Sequence, residues 1–127
     1  MRSYLGGRVS AYDLPVMDDA RGALLALHFS ELPISAVRLF CVQAPRGAVR
    51  GGHAHRVGNQ LLVRIGGHID VELRSEGLVE QLTLNALGAA LLIPAGVWAQ
   101  QTYRSDEAVL LVLADTPYDP SNYVLQI

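Results

Sequence analysis

Short apolar segments closed off by turn residues recur along this chain every eight to twelve residues, and that spacing leaves room for little except β-structure. Strands are predicted at Ala23–Phe29, Val37–Gln43, Gln60–Ile65, His68–Leu73, Val79–Leu84, Ala90–Ile93 and Val109–Ala114. In the fourth of these, Ile69, Val71 and Leu73 alternate with polar residues, the mark of a half-buried strand. Gly66-Gly67 and Ser75-Glu76-Gly77 predict hairpin turns on either side of it. No window of helical length keeps a 3.6-residue period. The expected fold is therefore all-β, an antiparallel sandwich or barrel. The turn around Pro117 and Pro120 ends the sheet, and a short terminal segment from Ser121 to Ile127 follows.

The 127 residues favour one domain, 1–127, with a sizeable core, since half are hydrophobic and only 17% are charged. With a net charge of -2 and no basic run, nucleic acid is not an expected partner. All ten basic residues are arginines, which removes lysine Schiff bases and lysine-anchored pyridoxal phosphate. Cys41 stands alone, so no internal disulfide forms; in its apolar strand it reads as a small buried hydrophobe. The first residues lack a signal-peptide pattern, and the longest clean apolar run, Ala108 to Ala114, is too short to span a bilayer. A cytoplasmic protein with no membrane partner is expected.

Chemistry concentrates in Arg50-Gly51-Gly52-His53-Ala54-His55. Residues i and i+2 of a strand share a face, so both imidazoles project into one space, and the preceding glycines permit close approach. Such a pair suits either a metal site or proton transfer.

Gly47, His53 and His55 fit G-x5-H-x-H, with Gln60 and Gly67 following at four and six intervening residues. This resembles the first signature of the cupin superfamily, which usually has glutamate where Gln60 stands. Gly88, Pro94 and Gly96 fit the opening of the second cupin signature, whose later histidine and asparagine positions are here Ala99 and Tyr103. The resemblance implies a cupin-type jelly-roll β-barrel with a site in its mouth and a short C-terminal turn or helical tail. Two of the four metal-ligand positions are lost, and two imidazoles hold a metal weakly. His28 and His68 do not substitute, because His68 should face away from the apolar side of its strand. The site is therefore expected to be metal-free, without a cofactor.

A narrower resemblance runs along nearly the whole chain. Arg21-Gly22-x-Leu24, Arg38, the Arg50–His55 stretch, Gln60-Leu61-Leu62, Ile93-Pro94-Ala95-Gly96-Val97-Trp98, Ala108–Ala114, Tyr118-Asp119 and Tyr123 occur in order. They resemble the cupin nucleotide-sugar 3,4-ketoisomerases that act on dTDP-4-keto-6-deoxyglucose. That family implies a nucleotide-linked sugar substrate and a homodimer that exchanges N-terminal strands. It also implies His55 as proton shuttle, His53 as assistant or relay, and Arg50 on developing negative charge or a phosphate. Departures fall at Cys41 and Gln43, where relatives carry tyrosines, and at Ala99, often histidine in relatives.

The expected site is thus His53 and His55 for catalysis, with Arg50, Gln60, Trp98, Arg38 and Arg21 on the substrate. Arg50 also reads as a solvated loop residue, Gln60 as a plain polar residue, and Trp98 as barrel-mouth packing. Arg21 and Arg38 rest on the resemblance alone, and Tyr118 and Tyr123 read as tail packing. The alternative function keeps both histidines but isomerises or cyclises another carbonyl substrate in a natural-product pathway.

Overall fold

The computed structural model describes residues 2–125, and the last two residues of the expected tail segment lie outside them. Thirteen strands occur among the described residues: β1 (Arg2–Tyr4), β2 (Val9–Asp13), β3 (Val16–Asp19), β4 (Gly22–Leu25), β5 (Arg38–Ala44), β6 (Val49–His55), β7 (Gln60–Gly66), β8 (Ile69–Ser75), β9 (Leu78–Leu84), β10 (Ala89–Ile93), β11 (Trp98–Tyr103), β12 (Ala108–Ala114) and β13 (Tyr123–Val124). Single 3-10 turns lie at Leu5–Gly7, Phe29–Glu31 and Pro120–Asn122. The expected all-β class holds.

A six-stranded sheet in the order β1-β2-β10-β7-β12-β5 faces a five-stranded sheet in the order β13-β6-β11-β8-β9, a jelly-roll arrangement. Every pairing is antiparallel. Leu62, Leu91, Leu110 and Val112 from the first sheet interlock with Ile69, Val71, Leu73 and Tyr103 from the second to form the core. The strict alternation in β8 follows, since only its inner face is covered and Ile69, Val71 and Leu73 are all buried. β7 and β12 are apolar on both faces for a different reason. Their outer residues Leu61, Val63 and Leu113 pack beneath Leu25, Leu27, Leu32 and Ile34, which cross the back of the sheet.

Several expectations need correction. The predicted strand Ala23–Phe29 stops at Leu25, and Phe29 begins a 3-10 turn. Ser75-Glu76-Gly77 does close the β8–β9 hairpin, with Glu76 and Gly77 both at positive φ. Gly66-Gly67 does not make a hairpin, because β7 and β8 belong to different sheets. Gly67 instead carries the chain between them at φ +76°, where a Cβ would lie 2.7 Å from the Ala108 backbone. Nor does the tail leave the sheets: β13 pairs with the end of β6, Tyr123 opposite His55. Cys41 is exposed rather than buried, since its strand shows one face to solvent.

No helix of the described residues is long and apolar enough to cross a membrane.

Candidate active site

Between the two sheets lies a cavity of about 410 Å³, and strand geometry decides which side chains reach it. β6 contributes most. Its pairing with β11 shifts between Ala99, opposite His53, and Gln100, opposite Gly51, so Gly52 is an extra residue and forms a β-bulge. The bulge reverses the inside–outside parity of the strand. Arg50, an odd number of residues from His53, therefore lines the same cavity as His53 and His55. Gly51 and Gly52 both sit at φ +78°, and a Cβ on Gly51 would meet the Ala99 carbonyl at 2.9 Å.

The imidazoles of His53 and His55 lie 5.1 Å apart, nearly perpendicular. The Tyr123 ring stacks flat on His53 at 4.4 Å and presents its edge to His55 at 5.1 Å, so β13 fixes both rings. Nδ1 of His53 is buried with no hydrogen-bond partner among the described residues. Burial pushes the His53 pKa below its usual value. His55 is pushed down to about 4, first by burial and then by the positive charges of His53 and Arg38. Burial thus favours the neutral form of both imidazoles, the form a base requires.

Arg38, Phe40 and Val42 alternate inward along β5 and form the opposite wall. The Arg38 guanidinium lies 4.5 Å from the Phe40 ring centroid and 5.1 Å from that of Tyr118, so two aromatic faces hold it. Cys41 and Gln43, the departures from the resembling family, take the outward parity and are exposed. They remove nothing from the cavity.

Gln60, the first residue of β7, also lines the cavity. The two remaining expected contacts do not. Trp98 has the outward parity of β11, opposite to Ala99, Gln101 and Tyr103. Its indole N–H donates to the Leu125 carbonyl at 3.2 Å, and Arg74 lies over its ring at 4.6 Å, so within this chain it holds the tail. Arg21 sits in the β3–β4 turn, bound to Asp19 at 2.7 Å and away from the lining of this chain's own cavity.

Tyr103, Gln101 and Phe40 were not named as site residues in the sequence, and Tyr123 was read only as packing. Period-2 counting from Ala99 along β11 would have put Gln101 and Tyr103 on the site face.

A metal does not fit these donors. Two imidazoles, the neutral amide of Gln60 and the methyl of Ala99 occupy the ligand positions of the fold. No group of three His, Cys, Asp or Glu able to hold an ion occurs among the described residues.

Residues 8–127 match the FdtA family, described as WxcM-like, C-terminal. The chain belongs to this family. A curated relative from Aneurinibacillus thermoaerophilus, named TDP-4-oxo-6-deoxy-alpha-D-glucose-3,4-oxoisomerase, is 31% identical over 110 residues, 85% of this chain and 79% of the relative. The WlaRB TDP-quinovose 3,4-ketoisomerase from Campylobacter jejuni superposes with a TM-score of 0.84 at 30% identity, covering 93% of this chain and 92% of that one. A double-mutant form of the QdtA 3,4-ketoisomerase from Thermoanaerobacterium thermosaccharolyticum, in complex with TDP, gives 0.87 at 25% identity, covering 94% and 88%. As a member of this family, the chain places its paired histidines in a cavity lined by arginines and aromatic rings.

Proposed function

We propose that this chain is a metal-independent 3,4-ketoisomerase of a TDP-linked 4-keto-6-deoxyhexose. The observation that carries the reading is the pair of neutral, half-buried imidazoles facing Arg38 across a cavity in a chain of this family. The named activities of the oxoisomerase and ketoisomerase relatives support the same reaction and substrate class.

The reaction moves two protons and no electrons overall. His55 takes the proton from C3, and the electron pair left behind forms the C3–C4 double bond as the C4 oxygen gains negative charge. The proton of the C3 hydroxyl passes to the C4 oxygen side of the enediol, and the imidazolium returns a proton to C4 as the C3 carbonyl forms. Arg38 lines the same cavity as His55, and its positive charge, which opposes protonation of His55, stabilises the enediolate. His53 assists by its contact with His55, while Gln60 and Arg50 hold sugar or phosphate oxygens.

The protein acts as a single domain in a homodimer that exchanges its N-terminal strands, which brings Arg21 to the partner's cavity. The β3–β4 hairpin supports this, because among the described residues it pairs only with itself and exposes Met17 and Leu24. A cytoplasmic setting fits a nucleotide-sugar substrate.

The test is proton NMR of TDP-4-keto-6-deoxyglucose incubated with the protein in D₂O containing a chelator. Loss of the C3 proton signal and growth of a 3-keto species are expected. His55→Asn should fold and lose at least about 10²-fold in exchange, the usual worth of a positioned base. Wild-type protein that leaves the C3 proton untouched would overturn the reading.

A further inference from the structure

His55 ends β6, and the chain continues into Arg56 and Val57, which hold the C-terminal tail. The Asn122 side chain is buried (8% exposed) and engages both backbone groups of Val57. Its Oδ1 accepts from the Val57 N–H at 2.9 Å, and its Nδ2 donates to the Val57 carbonyl at 3.0 Å. The Asn122 carbonyl accepts from the Arg56 N–H at 2.8 Å. A side-chain amide thus does here what a neighbouring peptide group does in a sheet, and it extends the grip of a strand only two residues long. Beyond β13, the Trp98 indole N–H donates to the Leu125 carbonyl, so β13 is tied on both sides.

The residue next to this clamp is Tyr123. It pairs with His55, stacks on the His53 ring at 4.4 Å and meets the His55 ring edge-on at 5.1 Å. Where the tail docks therefore decides where this ring lies. The ring in turn decides how far both imidazoles are free to turn and how much water reaches them. We propose that Asn122 is a positioning residue for the histidine pair and acts through Tyr123: its amide fixes the tail against the residues that follow His55, and the fixed ring holds both imidazoles in the cavity. Asn122 is not itself in the lining of the cavity, so substitution there alters the histidines only through the tail. For its effect on turnover the inference rests on the isomerase reading above, and it adds to that reading a residue outside the lining that sets the geometry of the base.

The test is a double-mutant cycle of Asn122→Ala and Tyr123→Leu, read by NMR titration of the imidazoles in the free protein and by kcat in the D₂O exchange assay. In wild type, burial holds His55 well below its ordinary value, at about 4. The charged and titratable groups that line the cavity with it are His53 and Arg50 on β6, Arg38 on β5, Tyr103 on β11, and Tyr118 and Tyr123 at the tail. Asn122→Ala changes none of them, so a rise of the His55 titration towards 6.5 reports lost burial. That rise is expected in both single variants, with a fall in kcat of about ten- to a hundredfold, the effect of a small misplacement of a reacting group. The double variant should go no further than Tyr123→Leu alone. Tyr123→Phe keeps the stacking ring and should keep the wild-type titration. Asn122→Ser keeps a short acceptor and loses the second bond; it should fall between wild type and Asn122→Ala, and it replaces Asn122→Ala if that variant does not fold. An unmoved His55 titration in the folded Asn122 variant, or losses that add fully in the double variant, would overturn the inference and leave the isomerase reading standing. Wild type inactive on TDP-4-keto-6-deoxyglucose would overturn that reading, while the titration in the free protein would still decide the role of Asn122.

Discussion

At the scale of single residues, the site is organised around keeping a histidine neutral. His55 has an effective pKa of about 4 because burial and two neighbouring positive charges oppose its protonation. The acid limb of kcat/KM, which reports the free enzyme, should therefore lie near pH 4 rather than near the usual histidine value of 6.5. Activity is retained above that limb and lost as pH falls through it. Replacing Arg38 by Met removes one of the opposing charges, so the limb should move to higher pH. Turnover at neutral pH should drop by about 10²-fold, the scale of a lost oxyanion donor. Rates across pH 4 to 8, with circular dichroism to confirm the fold, check both shifts; a wild-type limb near 6.5 would refute them. The same titration affects stability. In the unfolded chain His55 protonates below about 6.5 while the folded form resists, so acidification from there towards pH 4 favours unfolding.

At the scale of elements, the bulge in β6 is the feature on which the site's geometry turns. Without the extra residue at Gly52, Arg50 would point away from His53. Gly51→Ala should disturb this arrangement, since the new Cβ would sit 2.8 Å from the Gln101 side chain and 2.9 Å from the Ala99 carbonyl at a left-handed φ. The expected cost is about 1–3 kcal/mol in chemical denaturation, with turnover falling by more than the folded fraction accounts for. Normal stability with normal kcat/KM would show that the bulge is dispensable. The strands themselves were largely legible, because β5, β7, β8, β9, β10 and β12 carry enough Val, Leu and Ile to mark them. Strands β1, β2, β3, β11 and β13 were missed, and β6 was read as a strand only at its histidines, all being short, glycine-containing or rich in polar residues such as Gln100, Gln101 and Thr102. The place of the histidine pair, Arg50 and Gln60 in the cavity was legible from spacing and motif, whereas Arg38 rested on the family resemblance alone. Tyr123 packs the tail onto the sheet as read, but that it packs on the histidines was not legible, because its pairing with His55 is long-range and periodicity along the chain does not encode it. For Trp98 the sequence left packing and substrate contact both open, because the motif gives its position but not its parity on β11; its contacts within this chain are packing ones.

At the scale of the whole molecule, the edge of the six-stranded sheet and the β3–β4 hairpin leave apolar side chains exposed. Met17 (64% exposed), Leu24 (52%) and Leu39 (52%) lie uncovered on or beside strands that have free edges. Exposed apolar residues near an unpaired sheet edge invite association, and a second copy of the chain is the occupant consistent with the proposed strand exchange. Light scattering on the purified protein at micromolar concentration should give the mass of two chains. Leu24→Glu places a charge in the contact and should yield monomers. Arg21→Ala should remain dimeric but lose activity, because the proposed exchange, and not this chain's own cavity, gives Arg21 its place at a site. Mixing Arg21→Ala with His55→Asn supplies the decisive comparison. Heterodimers would contain one cavity with an intact His55 and, by exchange, an intact Arg21 from the other chain. Turnover should therefore recover to about a quarter of wild type, half the dimers being mixed and each having one complete site. No recovery on mixing and subunit exchange, or a wild-type monomer with full activity, would overturn the exchange and leave each cavity complete within its own chain.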